Sequence, residues 1–394
     1  MVINIDYPGF LSWLYASDPE LEFAEYKDQE IARADSLFGV SDGYCRAFSM
    51  LGHQAREIDA NNLKMQAAWA REHGLAAPEV GPGERRNGLV LALKRRLRKY
   101  RNLLFPLAQR LGLVPSLDAA STAILLAQIE DYDPDVILNQ DLAVISSKMM
   151  KSAMRGGRLL VAQCGIDPPP GLDLSPYDFG VSLLPWVVEV FEKKGLPARQ
   201  WHLAFNGQVL EKLGAAAPKD IAISFVGSVN ADHARRIKLL EAVAERYPLT
   251  LHLSSESSLP KNSPLWAIDQ GPLWGRQMYD VVRRSKITLN SHVGAARGMA
   301  GNMRLYEATG VGTFLLTDHQ ANLETLFEPG RHVGAYNSVE DCLKQIEIYL
   351  SDDKLREQIA RAGQAHTLAT HTYLHRAKQF LGFIEGLPSL PHVQ

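Results

Sequence analysis

The strongest constraint on this chain is an alternation of short apolar runs with helical patterns that passes through the first half and begins again in the second. In the first half, strand-like runs at Val2–Ile5, Ala55–Asp59, Asp135–Asn139, Arg158–Gln163 and Asp178–Leu183 are separated by helix-like stretches. Those stretches run near Ser12–Leu37, Asp42–Leu51, Ala119–Tyr132, Leu142–Met154 and Trp186–Lys194. The pattern lapses over Pro197–Phe205, which reads as a linker, and restarts after Pro218. Strands are then expected at Ile221–Val226, Leu249–Leu253, Ile287–Asn290, Gly312–Leu316 and His332–Tyr336. Helices are expected at Asp232–Tyr247, Gly275–Ser285, Met303–Thr309 (with Gly310 as its stop), Val339–Leu350, Lys354–Ala362 and Tyr373–Ile384. Strands that alternate with helices specify parallel sheets covered on both faces. Such an alternation, met twice in 394 residues, predicts two α/β domains.

Charge and cysteine usage narrow the class of function. A formal net charge of −2 excludes a protein that binds nucleic acid over its whole surface. No apolar run approaches the ~18 residues of a spanning helix, and the first residues lack the basic and apolar regions of a signal peptide. Cys45, Cys164 and Cys342 are odd in number and far apart, which argues against a disulfide framework or a structural zinc site. These features lead to the expectation of a cytoplasmic protein with reduced thiols. One local departure is the stretch from Glu84 to Arg101, with eight Lys or Arg and one acid. Its residues Lys94, Arg95 and Arg98 are candidates for peripheral contact with an anionic membrane, although charge runs are more often solvated faces.

In open parallel sheets ligands sit beyond the carboxyl ends of the strands. In the second half those positions hold Gly227-Ser228, Asn290-Ser291-His292 and the glycine-rich stretch Gly294–Arg304. Glycines let backbone N–H groups approach an anion, and a helix start adds about half a positive charge. Arg304 can add forked bonds to phosphate oxygens. Glu307, three residues on, offers a carboxylate to a sugar diol. The competing structural reading is a surface loop followed by an ordinary i,i+3 pair between Arg304 and Glu307. Gly227 and Ser228 admit a plain strand–helix turn, and His292 a satisfied structural histidine. Asp42 is a candidate general base, or simply a helix N-cap. Asp131-Tyr132-Asp133 has the look of a metal motif but falls at the amino end of a strand. His371 and His375, four residues apart, lack the third ligand that zinc needs.

The segment Asn302–Leu316, with Arg304, Tyr306, Glu307, Ala308 and Gly310, resembles the donor-binding region of GT-B glycosyltransferases. The closest similarity is to the spore-maturation-protein B-like branch of the group 1 glycosyl transferases. It continues through Leu326–Gly330, Tyr336–Asp341, Ile359–Gly363 and His371–Arg376. In the first half, Phe38–Asp42, Leu51–His53 and Asp133–Ile137 carry it more thinly.

The resemblance implies two Rossmann-like domains facing a cleft: an acceptor-side domain over 1–205, a nucleotide-sugar-binding domain over 206–370, and a C-terminal helix over 371–394 that crosses back to the first. It assigns Glu307 to the ribose and Gly227 to the phosphate loop. Many retaining relatives carry a further glutamate eight residues before the ribose one; that position is Met299 here, so retention and inversion are not distinguished.

The function expected is a metal-independent glycosyltransferase with no cofactor beyond its nucleoside-diphosphate sugar. Gly227, Ser228, Asn290, Asn302 and Arg304 would hold the donor's diphosphate, with Glu307 at the ribose. Asp42 and His292 would be the catalytic pair. The sugar, the base and the acceptor are not specified by these residues. Two other readings remain at this level: a nucleotide-sugar epimerase on the same scaffold, and a non-catalytic binding module in a surface-glycan pathway.

Overall fold

The structure is a computed structural model that describes residues 1–78, 117–169, 171–214, 217–229, 233–254, 258–385 and 387. The basic stretch with Lys94, Arg95 and Arg98 lies outside the described residues. The chain divides into two compact units. Unit 1 comprises residues 1–32, 52–201 and those from Phe380 onward; unit 2 comprises 33–51 and 202–379. A single cut at 205 would miss the segment 33–51, which packs in unit 2. Asp42 therefore belongs to the unit that holds the other candidate residues.

Unit 1 is built on a six-stranded parallel sheet of β1 (Val2–Asn4), β2 (Glu57–Asp59), β3 (Val136–Asn139), β4 (Leu159–Gln163), β5 (Phe179–Ser182) and β6 (Ala198–Gln200). Their order is β2-β1-β3-β4-β5-β6. The strand β6 occupies the stretch read from sequence as a linker. Its residues Ala-Arg-Gln have only the first side chain buried, so an edge strand of three residues leaves no apolar run to detect. The stretch expected as one helix from Ser12 to Leu37 is two helices, Pro8–Ser17 and Tyr26–Asp35, split by a turn at Pro19–Phe23. Pro19 lacks the N–H that would continue the first helix.

Unit 2 has a five-stranded parallel sheet: β7 (Ile221–Gly227), β8 (Leu249–Leu253), β9 (Ser285–Asn290), β10 (Phe314–Asp318) and β11 (Gly334–Tyr336). The order β11-β10-β9-β7-β8 reverses between β7 and β9, which makes that gap the topological switch point. Side chains alternate across the sheet. Ile223, Phe225, Ile287, Phe314 and Leu316 share a core with the helices Ala234–Arg246 and Val339–Ser351. Val226 and Leu315 point the other way, into a core with Met278 and Val282 of the helix Gly275–Arg284 and with Leu305, Tyr306 and Ala308 of the helix Met303–Gly310. Burial on both faces explains why the strands read as continuous apolar runs.

The segment 33–51 is tied into unit 2 by packing without slack. Ser36 O accepts from Arg276 N at 2.8 Å, and a Cβ on Gly275 would stand 1.8 Å from the same oxygen. The ring of Tyr44 meets that of Tyr373 edge-on at 4.7 Å. The last helix, Tyr373–Ile384, ends in unit 1, where Phe380 packs on Trp201 with ring centroids 5.3 Å apart.

Candidate functional site

Gly227 and Ser228 stand at the carboxyl end of β7, Asn290 and His292 at that of β9, and Asn302, Arg304 and Glu307 at the start and in the body of the helix Met303–Gly310; side-chain contacts pair Asn290 with Asn302 and Arg304 with Glu307. Asn290 and Asn302 exchange amide bonds: Asn302 Nδ2 donates to Asn290 Oδ1 at 2.7 Å, and Asn290 Nδ2 donates back at 3.1 Å. Asn290 Nδ2 also reaches Thr317 Oγ1 at 3.0 Å. Asn302 is the N-cap residue of the helix Met303–Gly310, yet its side chain makes no cap because its amide is committed to Asn290.

Arg304 and Glu307 form the i,i+3 pair that the local pattern allowed. Nη1 stands 3.1 Å from Glu307 Oε2, with side-chain exposures of 13% and 7%. Nη2 donates to Val226 O at 3.1 Å, so the guanidinium joins the helix to the end of β7. Burial raises the Glu307 pKa, and the Arg304 charge opposes that rise only in part. Arg304 is thus turned into the protein rather than presented as an open phosphate fork.

His292 is held at both ring nitrogens. Nδ1 lies 2.7 Å from Asp318 Oδ1, and Nε2 lies 3.3 Å from the Gly301 N–H. Since a backbone N–H can only donate, Nε2 accepts and the ring proton resides on Nδ1. The backbone N of His292 donates to both Asp318 oxygens at 2.9 and 3.0 Å. Burial raises the Asp318 pKa, but hydrogen bonds from His292 and Gln320 outweigh it, and the net shift is downward. In this geometry the two ring nitrogens face Asp318 and the Gly301 N–H.

The glycine-rich loop is also spoken for internally. Ala300 N donates to Asn322 Oδ1 at 2.6 Å, and Asn322 Nδ2 returns a bond to Ala300 O at 3.0 Å. Arg297 and Gly298 turn through the left-handed region at φ 47° and 84°. A Cβ on Gly227 would make only ordinary contact with Phe225 at 3.4 Å, so no steric demand fixes glycine there. Gly310 is required for another reason than helix termination: a Cβ would lie 2.4 Å from the Phe205 ring, and the left-handed turn comes at Gly312, φ 74°.

Asp42 precedes the helix Gly43–Met50 but makes no side-chain cap, and its Oδ1 is buried with no hydrogen-bond partner among the described residues. No hydrogen bond or ion pair joins it to the strand-end residues among the described residues. Asp133, of the rejected metal motif, is occupied by Arg155 and Arg158 at 2.6 and 2.9 Å. Among the described residues no group of three or more metal-ligating side chains is present, and no helix is long and apolar enough to cross a membrane. His371 and His375 do not share a helix: His371 follows Asp353–Thr370 and bonds Leu326 O at 3.0 Å, while His375 lies in the next helix.

Sequence reasoning missed Arg236. It is 8% exposed and lies in the first turn of the helix after β7. Nη1 donates to Ser228 O at 2.6 Å and Nη2 donates to Ser291 O. One guanidinium thus joins the loops that follow β7 and β9 at the switch point. The only signal was a second arginine beside Arg235, indistinguishable by type from a solvated face. Beside it a pocket of about 1010 Å³ opens beyond the strand ends, lined by Arg235, Arg236, Lys238, Asp318, Gln320 and Tyr336 among others.

Two parallel-sheet units, with polar residues collected at the carboxyl ends of the second sheet, define the GT-B type of architecture. Residues 235–382 match the family model described as "Glycosyl transferase-like". The match overlaps the segment 302–376 on which the resemblance rested, and the expectation of a glycosyltransferase stands on it. A glycosyltransferase from Rickettsia africae is similar in fold, with a TM-score of 0.52 and 11% identity over 89% of this chain and 96% of that one. HepE of Anabaena, solved with UDP and glucose, gives 0.48 and 12% over 68% and 81%. Sucrose-phosphate synthase from Thermosynechococcus elongatus gives 0.48 and 12% over 68% and 78%. No curated protein matches the chain.

Proposed function

We propose that the chain transfers a sugar from a nucleoside-diphosphate sugar to an acceptor hydroxyl without a bound metal. The observation that carries this reading is the buried Arg304–Glu307 pair at the end of β7, inside the segment that matches the glycosyl transferase-like family. Arg304 fixes one carboxylate oxygen of Glu307 and leaves the other to accept from the ribose hydroxyls. Asn290 and Asn302 set the start of the same helix, where a diphosphate gains from unpaired N–H groups. Gly227 and Ser228 border the diphosphate from β7.

His292 acts as a positioning residue that joins Asp318 to the Gly301 loop. Asp42 is the proposed general base, because a buried carboxylate oxygen without a donor gains from an incoming hydroxyl proton. Positive charge and helix ends, rather than a metal, stabilise the leaving diphosphate.

A melting-temperature series with UDP, GDP and TDP tests the donor, since a ligand that prefers the native state raises stability. One of the three should raise the midpoint, and chelator should not abolish the rise. No shift with any of them would remove the reading. Release of nucleotide that rises with added acceptor and falls sharply in Asp42→Asn would support transfer; release indifferent to both would argue against it.

A further inference from the structure

We infer that Lys219 is a modification site, at which dissolved carbon dioxide adds to the side-chain amine and forms a carbamate held by the cations around it. The site stands at the amino ends of the strands of unit 2, the opposite end of the sheet from Asn290, His292 and the pocket beside Arg236. It shares no residue with the proposed donor site and does not rest on sugar transfer.

The amine is placed by the strand starts. Lys219 lies two residues before β7, and its Nζ donates at 3.0 Å to Oγ1 of Thr313, the residue before β10. Since β9 lies between those two strands, the lysine side chain spans the start of β9. The Thr313 hydroxyl gives its own proton to Val282 O at 2.8 Å, so toward Lys219 its oxygen is an acceptor only. Lys219 itself is half-buried.

The charge around this amine is one-sided. Among the described residues no carboxylate stands within ion-pair distance of Lys219 Nζ, and the carboxylates of the surrounding elements are committed elsewhere. Asp220 takes Arg284 at 2.9 and 2.5 Å. Asp353 is divided between Arg356 at 2.5 Å and Lys286, of β9, at 3.6 Å. Glu357 is exposed and pairs with Arg361 at 2.9 Å. Arg356 is buried in the first turn of the helix Asp353–Thr370, and its charge acts on Lys219. Of the cations Lys219, Lys286 and Arg356, the last two share one carboxylate and Lys219 has only a hydroxyl.

A half-buried ammonium without a carboxylate favours its neutral form. Burial first, and then the Arg356 charge, lower the Lys219 pKa from 10.5 to about 8 against the opposing pull of Glu357. At pH 7.5 about a quarter of such amines are neutral, against about one in a thousand at the ordinary value of 10.5.

In the reaction the nitrogen lone pair attacks the carbon of carbon dioxide. An N–C bond forms, one C=O electron pair moves onto oxygen, and the nitrogen releases a proton to water. Lys219 thereby changes from a cation to an anion beside Arg356 and Lys286. The repulsion that disfavours its ammonium becomes an attraction that favours its carbamate. Carbon dioxide suits the place because it is small and uncharged, so it reaches a half-buried amine without desolvating an ion. Simple acylation would leave a neutral amide, which those cations do not favour.

Trapping tests this on the intact protein. The chain is held in bicarbonate at pH 7.5, treated with triethyloxonium to esterify carbamate oxygens, and digested for mass spectrometry. The ethyl carbamate should stand on Lys219 at about tenfold or more its level on Lys27 and Lys193, which are exposed and paired with Glu30 and Glu189. Equal labelling of the three lysines, or none on Lys219, overturns the inference. The comparison needs no variant, so it stands whatever a substitution does to folding. Melting temperature gives a second reading. Raising carbon dioxide at constant pH and ionic strength should raise the wild-type midpoint, because a reaction that prefers the native state stabilises it. Lys219→Arg, which keeps the charge without the amine, should not respond. No rise in wild type, or an equal rise in Lys219→Arg, overturns the inference as well.

Discussion

Arg304 Nη1 and Glu307 Oε2 stand 3.1 Å apart within the interior of unit 2, one turn along the same helix, with both side chains largely withdrawn from solvent. A buried pair of this kind is sensitive to the loss of either member, because the survivor keeps its desolvation penalty without its partner. Glu307→Gln should lower the unfolding free energy by about 3–5 kcal/mol, less whatever the Val226 carbonyl recovers. Replacing both residues by Arg304→Met and Glu307→Leu should restore most of that stability and still abolish a nucleotide-induced rise in melting temperature. Urea unfolding and the UDP series on the three proteins check this. A double variant that still responds to UDP would show that the carboxylate does not touch the ligand.

Glycine positions give a second, sharply divided expectation. Gly275→Ala would drive a methyl group to 1.8 Å from the Ser36 carbonyl at a φ of 49°, with only backbone to yield. It should fail to fold or lose several kcal/mol, at the upper end of what single substitutions cost, about 4 or more. Gly227→Ala meets only ordinary contact and should melt within a degree or two of wild type, about 0.5 kcal/mol. Any loss of nucleotide affinity in Gly227→Ala would then report on approach of the ligand to that backbone.

The amide exchange between Asn290 and Asn302 supports a third. Asn302→Ala leaves the Asn290 carbonyl oxygen without its donor in a site 3% exposed. The cost expected is about 1–3 kcal/mol. Asn290→Leu with Asn302→Leu, which removes both polar groups, should cost less than the sum of the single changes. A double-mutant cycle by chemical denaturation measures the difference, and strict additivity would contradict the coupling.

His371 carries a pH dependence. Burial, and the nearby Arg376 charge, lower its pKa to about 4 from the ordinary 6.5. Between those values the unfolded chain takes up the proton that the folded chain refuses. Stability from this group is therefore complete above pH 6.5 and falls as pH drops toward 4, by about 3 kcal/mol in all. His202, lowered to about 4 by the same cause, adds in the same direction. Urea midpoints at pH 7, 5.5 and 4.5 should decline more steeply in wild type than in His371→Gln. Parallel declines would mean that other groups carry the acid sensitivity.

Much of the second unit was legible because its strands are buried on both faces. Ile221–Val226 and Gly312–Leu316 are mainly apolar and mark the strands β7 and β10, and with them the loops that follow. The edge strand Ala198–Gln200 was not legible, since two of its three side chains face solvent. Neither was the helix Leu63–Glu72, which the sequence reading passed over between the second strand and the basic stretch.

At the site, residue types were visible but their commitments were not. His292 reads the same whether its ring serves a ligand or accepts from Gly301 N. Arg304 and Arg236 show this as well. Arg304 bonds Glu307 and the Val226 carbonyl, and Arg236 bridges the two loops, neither of which the residue type alone reveals. Pattern fixes which element a side chain stands on, whereas hydrogen-bond partners from distant strands decide what it can still do.

The interleaving of segments 33–51 and 202–379 bears on how the chain is made. Unit 2 needs Ser36 against Gly275, and unit 1 needs Phe380 against Trp201. As the ribosome extends the polypeptide, neither half can complete its interior until the helix Tyr373–Ile384 has emerged. The early segment 33–51 must meanwhile wait in the nascent chain for a partner more than two hundred positions downstream.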